Sequence, residues 1–169
     1  MNRPPLLVVF VAVLVIALGE LGGAALSQLR PATARWAADR ISANAPAHGL
    51  SGSAEYDDAV RERAIFTVEA GLSFFHVHAE GMGLVLFFAS TLAATVVRSR
   101  AARRVLYTLL TVGALFPLGY LAYALAVVEL GRDDGVAFAE TWVLSPLGTA
   151  AIAGLIALAI SLARRQEAR

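Results

Sequence analysis

The chain has 169 residues, of which 58% are apolar and 16% charged, with a mean hydropathy of +0.67. Soluble domains average about 45–50% apolar and about 25% charged, so an ordinary water-facing shell is excluded and the composition reads as a membrane protein. Fourteen basic residues, every one an arginine, stand against thirteen acids, and a net charge of +1 excludes a general nucleic-acid binder. With no cysteine, disulfides, thiolate metal sites and thiol nucleophiles are excluded as well.

A bilayer core about 30 Å thick needs roughly 20 mostly apolar residues in helix. Four segments meet that length: 5–26, 70–97, 105–130 and 142–163. Continuous apolar runs of this kind argue against the alternating ten-residue strands of a closed barrel. The expected fold is therefore all-α, a single polytopic membrane domain built as a four-helix transmembrane bundle. The first segment also has a second reading. Arg3, an apolar stretch and Gly23-Ala24-Ala25 resemble a cleavable signal peptide, although the apolar run continues to Leu26 and Glu20 interrupts the usual cleavage region.

The connection 29–63 is the one sizeable piece outside the spans. Pro31, Pro46, Gly49 and Ser51-Gly52-Ser53 mark it as partly irregular, with helical patches expected over 32–42 and 54–63. The second patch is expected to run straight into the second span. Pro117 and Pro146, each in a Pro-Leu-Gly triplet, read as helix-kinking devices. Gly71, Gly81 and Gly83 in the second span and the small residues around Gly154 in the fourth suit close helix packing.

Arginine bias in short flanks sets orientation. Arg3, the run Arg98 to Arg104, and Arg164, Arg165 and Arg169 mark one side, while 131–140 carries Asp133, Asp134 and Glu140 against a lone arginine. Both termini are thus expected on the cytoplasmic side, with the longer loop outside, in a bacterial inner membrane. Twelve of the thirteen acids fall outside or in the outer third of the spans, Glu167 being the exception.

Glu20, Glu69, His76, His78, Glu80 and Glu129 are the ionisable residues in or at the edges of the spans. Charged groups cost about 2.5–3.5 kcal/mol each at the centre of a spanning helix, which makes them candidates for function. Counted back from the arginine-rich end, all six converge on the outer third, and the inner two-thirds holds no acid or histidine. At 100° per residue, His76 is about 20° from Glu69 and about 40° from Glu80, whereas His78 is about 160° away beside Met82.

Imidazole with carboxylate is the usual ligand set for zinc, iron or copper where thiolate is absent. The candidate metal ligands are His76, His78, Glu80, Glu69 and Glu20; Glu129 is a further carboxylate within reach of the shell. The plainer reading is that these interfacial carboxylates are solvated or paired with Arg61, Arg63 or Arg132. For His78, packing among aromatic rings with one hydrogen bond competes with ligation.

The run His76-Val77-His78-Ala79-Glu80-Gly81-Met82-Gly83 has the form His-x-His-x-x-x-x-Gly. It resembles a motif of polytopic bacterial membrane proteins of the haem-and-copper NnrS family, distantly related to haem-copper oxidase cores. The resemblance covers eight residues and implies a haem or copper ligand set on a transmembrane helix. By this resemblance His76 and His78 would be ligands and Gly83 a close-packing residue. Because the two rings diverge, neither can complete a haem sandwich with the other, and the sixth ligand would come from a second copy of the chain, His48 or Met82. The resulting expectation is a small membrane protein with an outer-face His/Glu metal or haem site, working as a redox or metal-handling accessory. A larger membrane complex or a second copy of the chain is the expected partner. Two rivals stand beside it, a proton- or ion-linked transport component and a structural accessory subunit without chemistry.

Overall fold

The structure, a computed structural model, describes residues 3–167, which are helical except for short connections. α1 spans Leu6–Ala43, α2 Ala54–Val96, α3 Arg100–Gly113, α4 Leu118–Leu130, α5 Arg132–Ala139 and α6 Ser145–Glu167. Between α5 and α6 the chain widens into one π-helical turn, Glu140–Leu144. Because α3 with α4, and α5 with α6, run nearly end to end, these elements make four helices long and apolar enough to cross a membrane.

α1 and α2 are longer than a bilayer requires. At 1.5 Å per residue, 38 residues extend about 57 Å and 43 residues about 65 Å. The expected loop 29–63 shrinks accordingly to the connection between α1 and α2, and the expected patch 32–42 is simply the end of α1. Pro31 does not stop the helix, although it removes an N–H from the ladder. Beyond it Ala37 and Ile41 are fully buried against Ala64, Val68, Val127 and Val128, and that packing carries the helix past the proline.

Local signals explain the other boundaries. Ser99 caps α3 by accepting from the Ala102 amide. Pro117 has no N–H, so the chain tightens there: the Leu115 and Phe116 amides reach back three residues, to Val112 and Gly113. Pro146 likewise cannot donate to the carbonyl of Trp142, and the turn before it opens until the Ser145 amide bonds Glu140. Both prolines sit at the breaks expected of them. Gly131, at φ +89°, joins α4 to α5, and a Cβ there would collide with the Ala47 carbonyl.

Three apolar cores stack along the bundle. One holds Val8, Ala12, Leu86, Ala93, Leu106, Leu110 and Leu158 at the arginine-rich end. A central one contains Val15, Phe75 and Ala79. The third is the extension core around Ile41 and Val68. Large apolar side chains also face outward: Leu7, Phe10, Phe66, Phe88, Trp142 and Ile152 each expose more than half of their surface. Exposed apolar side chains of this kind are what lipid would cover.

Asp57 anchors the connection between α1 and α2. Its buried carboxylate accepts the Ser51 amide at 2.8 Å and the Gly52 amide at 3.0 Å. The Ser51 amide, with a smaller contribution from Gly52, holds this carboxyl below the usual carboxylate range. A depressed carboxyl stabilises the fold above its unfolded pKa, and the contribution fades as pH falls below about 4. Asp57→Ala is expected to loosen the segment 44–53 at neutral pH, seen as faster cleavage there in limited proteolysis. Unchanged cleavage would mean that other contacts hold this turn.

Candidate functional site

Glycines in α1 create the site. Gly19, Gly22 and Gly23 face α2, and Cβ atoms built on them would meet Ala79, the Phe75 ring and the His76 ring at 2.5–2.9 Å. Without side chains there, α2 approaches closely and its His76 ring occupies the notch over Gly23. His76 Nδ1 lies 2.8 Å from the Gly19 carbonyl oxygen. A carbonyl only accepts, so Nδ1 carries the proton and Nε2 is left with its lone pair in the neutral ring. Glu80 Oε1 is also 3.0 Å from Nδ1, but only the Gly19 contact has hydrogen-bond geometry. Glu80 therefore acts as a nearby charge, and the carbonyl fixes the ring.

A groove of about 780 Å³ opens beside this ring between α1 and α2, lined by Glu20, Ser27, Arg30, Glu69, Ser73 and His76. Helix phase brings Glu69 and His76 to it from α2, and α1 supplies Glu20. Glu69 is already engaged: Arg30 Nε donates to Oε1 at 3.1 Å and Nη2 to Oε2 at 2.8 Å. Glu20 is exposed and has no hydrogen-bond or ion-pair partner among the described residues. Arg30 and Ser27 are groove residues that no sequence pattern singles out, and Ser73 joins them one turn before His76. Local propensity puts Arg30 in a loop, and only a continuous α1 sets it on the same helical face as Gly23, two turns further on.

Glu129 and His48 lie away from the groove. Glu129 is held by Arg40, whose Nε donates at 2.8 Å, and by Asn44 at 3.1 Å. Glu69 and Glu129 are thus paired, as the plainer reading expects, but their partners come from α1 and not from Arg61, Arg63 or Arg132. His48 is buried at the end of α4, 3.2 Å from the Val128 carbonyl oxygen, and does not fold over the groove.

His78 does not share a site with His76. Its Nδ1 donates to the Phe74 carbonyl of its own helix at 2.9 Å. Its ring centroid lies 4.8 Å from Tyr120, 5.8 Å from Phe116 and 6.0 Å from Phe74. Two positions along a helix diverge by about 160°, so one ring meets α1 and the other the break between α3 and α4. A haem or metal held jointly by His76 and His78 has no support in this arrangement. Met82 is half-buried, one turn beyond His78 and on the His78 side by helix phase. Among the described residues no group of three or more histidine, aspartate or glutamate side chains is arranged to hold a metal ion.

The small residues also sort themselves. Gly154 packs on Leu109 and Leu110, Gly71 on Tyr123 and Ala124, and Gly83 on Ile16, all within this chain. A Cβ at Gly81 would meet nothing within 4 Å among the described residues.

These features define an all-helical protein with four helices long and apolar enough to cross a membrane and a polar groove between the two longest. No protein-family model, curated protein or solved structure matches the chain.

Proposed function

We propose that this chain binds a divalent transition-metal ion on the outer side of a membrane, in the groove between α1 and α2. The observation that carries this reading is the seating of His76. Its Nδ1–H is committed to the Gly19 carbonyl, the arrangement that fixes the tautomer of a metal-ligating histidine and raises its basicity. Nε2 is then the ligand atom, and Glu20 is the carboxylate in the same groove without a competing partner among the described residues. Two protein ligands leave positions for water or for a donor from a partner, suiting capture and delivery more than permanent storage.

The reading is one-sided. In the proposed orientation the arginine-rich end of the bundle faces the cytoplasm, following the positive-inside bias. Beyond the groove on that side lies the apolar core around Leu86, Leu110 and Leu158, which offers a proton or ion relay no stepping stone. Handling of a metal at the outer face is therefore favoured over conduction across the membrane.

Equilibrium dialysis of the detergent-purified chain against Zn²⁺ and Cu²⁺ tests the proposal. His76→Ala and Glu20→Gln are each expected to weaken binding at least about tenfold, the scale of losing one donor. His78→Ala is expected to bind like the parent. Absence of binding by the parent, or equal binding by the parent and His76→Ala, would overturn the assignment.

A further inference from the structure

At the opposite end of the bundle, Arg3, Arg100, Arg103 and Arg104 line an open cavity of about 330 Å³ together with Pro5 and the half-buried Tyr107. None of the four guanidinium groups has a carboxylate partner among the described residues. Arg103 Nη1 donates to the Val97 carbonyl at 3.3 Å, which tethers that side chain and leaves its other donors free. Arg100 and Arg104 are exposed, and the first turn of α3 adds the positive end of its dipole.

Four like charges around one cavity repel one another, so the arrangement is satisfied by an anion with several acceptor oxygens. Guanidinium forks match phosphate oxygens in this way. The neighbouring surface says which phosphate. Leu6 and Leu7 follow Pro5 directly and are 87% and 69% exposed, and Val105, beside Arg104, is 58% exposed. Charge above bare apolar surface fits a head group that carries acyl chains, and free phosphate would use only the first half of it.

We infer that this cavity binds the phosphodiester head group of an anionic phospholipid, with the acyl chains lying along Leu6, Leu7 and Val105. Basic pockets between spanning helices take anionic head groups by this chemistry. The site is independent of the groove at the other end. Occupancy would join the start of α1 to the start of α3 through one shared anion, at an end where the arginine side chains otherwise bond only backbone carbonyls, Arg103 to Val97 and Arg165 to Thr95, among the described residues.

Native mass spectrometry of the detergent-purified chain tests this with three probes: phosphatidylglycerol, phosphatidylcholine and inorganic phosphate. The parent is expected to retain phosphatidylglycerol in preference to phosphatidylcholine, and inorganic phosphate is not expected to displace it. Arg100→Gln/Arg104→Gln, which spares the tethered Arg103, is expected to bind phosphatidylglycerol about 30-fold more weakly, with two surface arginines removed. Arg98→Gln, which does not line the cavity, is expected to behave as the parent. Equal retention of the two lipids, an equal loss in Arg98→Gln, or displacement by inorganic phosphate would each overturn the inference. A melting temperature of the double variant equal to that of the parent in lipid-free detergent separates lost binding from lost fold.

Discussion

Gly113→Leu is expected to separate α3 from α6 and to destabilise the chain by roughly 3 kcal/mol, the upper part of the range for overpacking a tight interior. Gly113 ends α3 at its crossing with α6, where a Cβ would lie 2.5 Å from the Ala151 amide nitrogen and 2.7 Å from the Ala151 Cβ. The obstructing atoms are largely backbone, so no rotamer change relieves the clash and one helix must move. The displacement would propagate, because α3 passes through the turn at Pro117 into the segment that sets Phe116 and Tyr120 against His78. Gly81→Leu is the matched control, since its Cβ meets nothing within 4 Å. Unfolding in mixed detergent micelles, followed by tryptophan fluorescence, reads both. Equal stability of the two variants would show that the α3–α6 crossing tolerates a wider spacing.

The four long apolar helices are legible in the sequence because hydropathy over about twenty residues reports directly on what a bilayer accepts. Helix phase is legible too: Glu69 and His76 do line one groove, and His78 does face away. Phase depends only on the rotation per residue. What stays hidden is the length of α1. Pro31 is a fair sign of a helix end by local propensity, but burial of Ala37 and Ile41 under α2 and α4 overrides it, and that burial is a tertiary fact. A loop there would also remove Arg30 and Arg40 from reach, so Glu69 and Glu129 look more available in the sequence than they are in the fold. In the sequence Gly22 and Gly23 lie within the first apolar run, where Gly23-Ala24-Ala25 could also end a signal segment. Their use as a seat for Phe75 and His76 shows only when the second helix is laid against the first.

That seat leads to the sharpest expectation about function. For the proposed metal site, Gly23→Ala is expected to lower affinity about 10–100-fold, the usual cost of removing a group that orients a ligating histidine. The new Cβ would lie 2.5 Å from one His76 ring carbon and 2.7 Å from Nδ1. Here the obstruction is the movable end of a side chain, so the ring swings away and the helices keep their spacing. The bond to the Gly19 carbonyl is then lost, at a stability cost of about 1 kcal/mol for one hydrogen bond. Gly22→Ala is the paired control: its Cβ would press on the Phe75 ring at 2.9 Å and leave His76 in place. Nitrogen NMR of the imidazole gives a readout that packing alone does not move, because the parent's protonated Nδ1 should give way to a tautomer mixture in Gly23→Ala only. Retained affinity together with a changed tautomer would mean that the Gly19 carbonyl positions the ring without tuning it as a ligand. Retained affinity with an unchanged tautomer would mean that the notch accepts a methyl group, and that the glycine serves helix approach alone.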